Sequence, residues 1–304
     1  RDICFSLGII PALYKLTEFL LTDNEYAVVN TPAYGYFRNA LDYNGKKAIY
    51  NNLYKDKEGR WRIDFESLER DAADPRAKLL IWCSPHNPTG RIWTEEELKK
   101  VAAIVEKYNL WIISDEIHCD LLRQGRKHIP MAKIMPGYDR LIVCTSASKC
   151  FNMAGLMLAE IIIRNQDLKD RWITYTNSYA MNINPLAIAA HRAAYEHGYE
   201  WLDRMKTYLD GNFSFVKETL DRDLPETRFE IPEATYLAWV DLNPYMGDIE
   251  DIPDFFANKA GVLLEGGDAL FVDNAKGYVR LNLAMPRSLL AEGLKRIVAA
   301  VKNR

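Results

Sequence analysis

Short apolar runs alternate with segments of helical spacing along the first half of the chain. The runs are continuous and rich in Val, Ile and Leu, which is typical of strands buried on both faces. They predict strands at residues 26–29, 47–50, 79–83, 111–113, 141–144 and 160–163, with the tail of another at 3–5. Helical spacing predicts helices at 11–21, at 64–71 and at 94–108, and another that ends at residue 41. A Thr94–Glu97 capping box opens the helix at 94–108. This alternation predicts an α/β protein with a mostly parallel sheet flanked by helices.

The pattern changes in the second half of the chain. Helical spacing dominates from residue 168 to about 220, with one long helix predicted near 190–220. Strands are predicted at 228–231, 236–240 and 278–283, and helices at 252–259 and 287–301. We therefore expect a large α/β domain at residues 1–200 and a smaller C-terminal α+β domain at 201–304.

Composition narrows the classes of function. The 304 residues are 48% hydrophobic and 27% charged, and the net charge is −3 without a basic tract, so we expect no nucleic-acid partner. The apolar runs are far shorter than the roughly 20 residues that cross a membrane, so we expect no membrane partner. Five cysteines without CxxC spacing suggest reduced thiols, a cytoplasmic protein and no metal site.

Three polar residues follow consecutive predicted strands: Asn87, Asp115 and Lys149. Each has an ordinary interpretation by itself: a turn amide, a helix cap or surface carboxylate, and a solvated loop lysine. In an open parallel sheet, however, ligands bind beyond the carboxyl ends of the strands. The three side chains are therefore expected to converge on one site.

An amine, a carboxylate and an amide together suit pyridoxal 5'-phosphate. The amine can form an imine with its aldehyde, the carboxylate can keep its pyridine nitrogen protonated, and the amide can bond its ring oxygen. Ser146 and the backbone N–H groups of Gly8, Ile9 and Ile10 are candidates for the phosphate. Tyr34 can supply an aromatic face for the ring.

Several short motifs follow one another along the chain: Thr31-Pro32-Ala33-Tyr34, Ser84 to Gly90, Ser114-Asp115-Glu116-Ile117-His118, His128-Ile129-Pro130, Ser146 to Asn152, Ala234 to Trp239 and Arg280-Leu281-Asn282. These motifs resemble those of the pyridoxal-phosphate-dependent enzymes of aminotransferase class I/II fold. Within that family the sequence is most similar to the MalY/PatB group of cystathionine β-lyases, or C–S lyases. The resemblance covers essentially the whole chain and implies the fold-type I architecture.

The resemblance also implies roles for individual residues. For the cofactor, it implies Lys149 as the Schiff-base lysine and Asp115 as the partner of the pyridine nitrogen. Asn87 would contact the ring hydroxyl, with His118 nearby, and Tyr34 would stack on the ring. Ser146 would contact the phosphate together with Ile9 and Ile10. For the amino-acid substrate, Arg280 is expected to bind the α-carboxylate, with Asn87 beside it, because a guanidinium matches a carboxylate bidentately. A homodimer is expected because relatives build the site between subunits.

The chain departs from its relatives in two places. Met157 stands where many relatives have a charged or polar residue near the phosphate, and it offers neither charge nor a strong hydrogen bond. Relatives also normally begin with a further segment of several dozen residues, which we expect to be missing before Arg1. Weaker cofactor binding is expected if that segment is absent.

The resemblance therefore implies a pyridoxal-phosphate-dependent C–S β-lyase. Its substrates would be L-cystathionine or related cysteine S-conjugates, which it would cleave to thiol, pyruvate and ammonia. A class I/II aminotransferase is the alternative, since it would use the same residues. A catalytically idle scaffold that keeps the fold is the remaining alternative, and the two departures are what favour it.

Overall fold

The architecture is taken from a computed structural model. It describes residues 2–304, with the backbone alone for residues 268 and 269. The strands are β1 (Ile3–Ser6), β2 (Tyr26–Thr31), β3 (Ala33–Tyr34), β4 (Lys47–Asn52), β5 (Tyr54–Lys55), β6 (Trp61–Arg62), β7 (Ala77–Cys83), β8 (Trp111–Asp115), β9 (Leu141–Thr145), β10 (Ala159–Ile163), β11 (Leu237–Asp241), β12 (Glu265–Gly266), β13 (Phe271–Val272) and β14 (Tyr278–Asn282).

The helices lie between these strands and after the sheet. They are α1 (Ile9–Leu20), α2 (Gly35–Tyr43), α3 (Phe65–Ala72), α4 (Glu95–Lys107), α5 (Met131–Ile134), α6 (Gln166–Ser178), α7 (Pro185–His197), α8 (Tyr199–Asp223), α9 (Asn243–Met246), α10 (Ile252–Ala260), α11 (Gly267–Leu270) and α12 (Arg287–Lys302), with a short 3₁₀ helix at Ala154–Leu156. The predicted capping box of α4 is confirmed, because Thr94 and Glu97 bond each other's backbone N–H groups.

One large sheet organises the first half of the chain. Over residues 2–304 it has seven strands in the order β1-β10-β9-β8-β7-β2-β4. The five neighbouring strands β9, β8, β7, β2 and β4 run parallel to one another. At one edge of the sheet, β10 pairs antiparallel with β9, and β1 pairs antiparallel with β10. The expectation of a mostly parallel sheet flanked by helices is therefore confirmed.

The parallel strands are apolar on both faces because both faces are covered. One core cluster packs α1, α2 and α6 against one face, and a second packs α3, α4 and α5 against the other. Burial on both sides explains why these strands are continuous apolar runs without alternation. It also leaves only the strand ends free to carry polar side chains.

A second, smaller unit follows in the chain. Strands β11, β14 and β12 form an antiparallel sheet, called the small sheet below. A separate core cluster joins it to α8, α10 and α12. The boundary of the two domains at residue 200 stays a prediction.

Two predictions in this second half are wrong. Residues 228–231 form no strand, because Arg228 makes only an isolated bridge with Asp241 and Pro232 follows at once without an N–H to donate. The single helix near 190–220 is two helices, α7 and α8, which meet at Gly198. The Phe151 ring packs so closely there that a Cβ on Gly198 would lie 2.5 Å from it.

Over residues 2–304, no helix combines the length and the apolar character that a membrane crossing requires.

Candidate active site

The carboxyl ends of β7, β8 and β9 lie side by side. Asp115, the last residue of β8, pairs in register with Cys83 of β7 and with Cys144 of β9. A cavity of about 750 Å³ opens beyond these ends. The predicted site residues that line it are Ile9, Ile10, Tyr34, Asn87, Asp115, His118, Lys149 and Arg280. The structure thus brings together the three strand-end residues, as expected from the sheet topology.

The Asn87 side chain lies on an irregular loop between β7 and α4. The loop is held by its own hydrogen bonds, including His86 Nδ1 to Thr89 Oγ1 at 2.8 Å and Gly90 N–H to the His86 carbonyl at 2.7 Å. Gly90 has a φ of 69°, and a Cβ there would meet Pro232 at 2.3 Å. The fixed loop leaves Asn87 Oδ1 facing Arg280, whose Nη1 donates to it at 2.8 Å.

Asp115 is buried at the bottom of the cavity. Its Oδ1 accepts a hydrogen bond from the Ile117 backbone N–H at 3.2 Å. Burial raises the pKa of the Asp115 carboxyl to about 7, although the Ile117 N–H and the Lys149 amine act in the opposite direction. An ionised Asp115 carboxylate would therefore be stabilised by a positively charged group bound in the cavity.

The Lys149 side chain extends into the cavity from the turn that follows β9. Ser146 fixes this turn, because its hydroxyl donates to the Leu158 carbonyl at 2.7 Å and accepts from the Ser148 N–H at 3.0 Å. Within residues 2–304, the Lys149 amine makes neither a hydrogen bond nor an ion pair. The amine is therefore available to a ligand.

Ser146 itself is not among the residues that line the cavity. Its hydroxyl, which we predicted for the phosphate, is used instead to join the turn to the start of β10. Ser148 lines the cavity in its place and was not singled out from the sequence. The signal was present, since a hydroxyl directly precedes the lysine in Ser148-Lys149.

His118 is buried beside Lys149. Burial, together with the positive charges of Lys149 and Arg280, lowers the pKa of its imidazole to about 3, so the ring is neutral at pH 7. Among the described residues, His118 Nδ1 has no hydrogen-bond partner. The ring packs edge-on against Tyr236, with centroids 6.0 Å apart. Tyr236 also lines the cavity, and we predicted no role for it although it lies in the Ala234–Trp239 motif.

Arg280 lines the cavity from the small sheet. It lies on β14, in register with Trp239 of β11 and Glu265 of β12. Its Nε donates to Glu265 Oε2 at 2.8 Å, and its Nη2 donates to the same oxygen. Glu265 was missed because no sequence pattern predicted the two-residue strand that carries it.

The start of α1 forms a further wall of the cavity. Gly8, Ile9 and Ile10 line it, and Gly8 precedes the helix with a φ of 118° that favours glycine. No side chain caps this helix, so the N–H groups of its first turn are open to an anion. Tyr34 lines the same region, and burial raises the pKa of its phenol to about 12. Met157 also lines the cavity and brings no charge to it.

These features fit pyridoxal 5'-phosphate. The cavity offers an amine without a partner, a buried carboxyl that favours a positive neighbour, an imidazole nitrogen without a partner and an open helix N-terminus. Within residues 2–304, no group of three or more His, Cys, Asp or Glu side chains is arranged to hold a metal ion. The donor set is that of an organic, phosphate-bearing cofactor.

Known proteins are similar to this chain in sequence and in fold. The family model "Aminotransferase class I and II" matches residues 1–297. Cystathionine beta-lyase PatB of Bacillus subtilis is 34% identical over 99% of this chain and 78% of its own length. Protein MalY of Escherichia coli is 35% identical over 99% and 77%. A PLP-bound C-S lyase from Staphylococcus hominis is 43% identical with a TM-score of 0.93, covering 99% of this chain and 76% of that one. The fold-type I prediction is confirmed.

Proposed function

Because the chain belongs to the class I and II aminotransferase family, we propose that it is a pyridoxal-phosphate-dependent carbon–sulfur β-lyase. Its substrates are L-cystathionine or related cysteine S-conjugates, and its products are a thiol, pyruvate and ammonia. The observation that carries the proposal is the convergence of Lys149, Asp115 and Asn87 on one cavity. The C–S lyases among its relatives support the reaction class.

Lys149 has the central role in this proposal. Its amine would hold the cofactor aldehyde and then act as the base that moves the proton at the substrate Cα. Pyridoxal phosphate, when bound, supplies a ring that takes up the negative charge left by that proton. The buried Asp115 carboxylate would pair with the ring nitrogen, and the raised pKa of this carboxyl supports the role, because a positive partner relieves the cost of its burial.

The remaining residues would orient the cofactor and the substrate. Asn87 would bond the ring oxygen, and His118 would stay neutral beside it. Tyr34 would stack on the ring, and the first N–H groups of α1, at Ile9 and Ile10, would hold the phosphate. Ser146 would act through the turn that it fixes, since its hydroxyl is bonded to Leu158.

Arg280 would bind the substrate α-carboxylate at the other end of the cavity. Its guanidinium is buried between the rings of Phe271 and Tyr34, whose centroids lie 4.9 and 5.6 Å from its central carbon. Both rings pack close to the guanidinium, and a carboxylate could dock along its edge. In this proposal the Cα of the amino acid would lie between Arg280 and Lys149.

A homodimer in the cytoplasm completes the proposal. Large apolar side chains are exposed around α6 and α7, among them Tyr179 at 71% and Leu186 at 73%, which favours a partner on this surface. The cysteines of the described residues are free, which favours a reducing compartment. Light scattering of the purified protein would test the dimer.

The reaction is tested by its products. The purified chain, loaded with pyridoxal phosphate, should form pyruvate and a free thiol from L-cystathionine without any keto-acid acceptor. An aminotransferase would instead need an acceptor and would form a new amino acid in equal amount. Absence of pyruvate and thiol from the loaded enzyme would contradict the lyase proposal.

A further inference from the structure

The Arg280 guanidinium already has a carboxylate on the edge that a substrate would use. Its side chain is 8% exposed, and both Nε and Nη2 donate to the single oxygen Glu265 Oε2. The third nitrogen, Nη1, donates to Asn87 Oδ1 at 2.8 Å. The Nε–Nη2 edge is one of the two edges on which a guanidinium binds a carboxylate in a fork, so Glu265 occupies the place of a ligand.

Glu265 and Arg280 differ in how easily each can leave this ion pair. Glu265 has a side chain that is 49% exposed, on a two-residue strand at the mouth of the cavity. It can turn into solvent with little loss of hydration. Arg280 cannot do so, because it is enclosed by Phe271 and Tyr34 and would be left as a buried charge without a partner.

We propose that Glu265 is an internal competitor for the substrate carboxylate, which must displace it from Arg280 in order to bind. The inference rests on the proposed function, since it takes Arg280 as the carboxylate site. Binding then exchanges one carboxylate for another instead of forming a new ion pair. Glu265 thereby determines specificity: groups without a carboxylate cannot displace it, and carboxylate ligands bind more weakly than Arg280 alone would allow.

The test uses a probe that reports on carboxylate binding without the reaction. The probe is 3-(methylthio)propionate, which has a thioether and a carboxylate but no amino group. Its Kd for the pyridoxal-phosphate-loaded enzyme is measured by calorimetry for the wild type, Glu265→Gln and Glu265→Ala. Both substitutions should tighten binding by about five- to tenfold, because the charge that competes for Arg280 is lost. The KM for L-cystathionine should fall in the same direction, with a smaller change in kcat.

Two further variants control the measurement. Glu292→Gln removes a carboxylate from the same domain, where it forms a surface pair with Arg296, and should leave the Kd at the wild-type value. Arg280→Gln should abolish binding of the probe. Circular dichroism and thermal unfolding establish that each variant is folded before its Kd is compared.

The outcomes separate this inference from the proposed function. A Kd in folded Glu265→Gln and Glu265→Ala that equals or exceeds the wild-type value overturns the inference. If the wild type forms pyruvate in that case, the lyase function still stands. Tighter binding of the probe in an enzyme that forms no pyruvate would support the inference and contradict the lyase function.

Discussion

The two ends of the cavity satisfy their charges in opposite ways. At the lysine end, formed by Asp115, His118 and Lys149, the described residues leave the amine and the imidazole Nδ1 without partners, and the carboxyl is buried. At the arginine end, formed by Glu265, Arg280 and Asn87, the guanidinium donors face acceptors from the chain itself. A ligand therefore adds new interactions at one end and replaces existing ones at the other.

The difference follows from how the two ends are built. The lysine end lies at the carboxyl ends of buried parallel strands, where polar side chains have few neighbours that can pair with them. At the arginine end, Glu265 and Arg280 lie on neighbouring strands of the small antiparallel sheet, and Asn87 reaches Arg280 from the loop that follows β7. We expect substitutions at the lysine end to affect chemistry and those at the arginine end to affect binding.

The largest effect is expected for Lys149→Ala, because it removes both the group that holds the cofactor and the proposed base. Pyruvate formation should fall by about a thousandfold or more. Lys107→Ala is the matched control, since Lys107 forms a surface ion pair with Glu69 far from the cavity in the fold. A Lys149→Ala enzyme with more than about a tenth of wild-type activity would contradict the role of the lysine.

Asp115→Asn should change how stability depends on pH in the cofactor-free protein. The carboxyl pKa is about 7 in the folded chain, and we take the ordinary value of 3.8 for the unfolded chain. The stability that the folded chain gains by binding this proton is therefore fully present below pH 3.8. That contribution is lost as the pH rises through 7. The variant lacks this loss, so its unfolding free energy relative to wild type should rise across that range by up to about 4 kcal/mol.

Urea unfolding at several pH values measures this difference. The neutral buried histidines contribute equally to both proteins and cancel in the comparison. A difference that stays constant between pH 3.8 and 7 would show that Asp115 is not the buried carboxyl described here.

Asn87→Ala should have a smaller effect, and mainly on binding. It removes the acceptor of Arg280 Nη1 and leaves this buried donor without its partner. The KM for L-cystathionine should rise by about tenfold, the cost of one hydrogen bond to a charged group. Asn258→Ala, on the exposed face of α10, is the control. An unchanged KM in Asn87→Ala would contradict the coupling of Asn87 to the carboxylate site.

The smallest change is expected for His118, which should not titrate near neutral pH. Burial and the two cationic neighbours lower its pKa to about 3, so its ring signals in NMR should stay fixed between about pH 5 and 8. The signals are assigned by their loss in His118→Gln. Titration of the assigned signals within that range would contradict the neutral, buried imidazole described here.

The sequence was sufficient for the part of the fold that local pattern determines. The parallel strands and the convergence of Asn87, Asp115 and Lys149 were predicted because each residue follows its own apolar run. The break at Gly198 depends on the Phe151 ring packing from elsewhere in the chain. Its local signal, a single glycine within a helical pattern, was weak.

Several contacts of the site could not be predicted from the sequence either. Glu265 meets Arg280 only through the register of β12 with β14, and Asn87 meets Arg280 from another sheet. The Ser146 hydroxyl is taken by the carbonyl of Leu158, where the chain returns towards β10. Each of these contacts depends on tertiary packing, and a pattern along the sequence cannot specify it.

Reduction of the loaded enzyme with borohydride, followed by peptide mass mapping, tests the central claim most directly. We predict one reduced phosphopyridoxyl group per chain, attached to the peptide that contains Lys149. Attachment at another lysine, or no attachment at all, would contradict the assignment of this cavity as the pyridoxal-phosphate site.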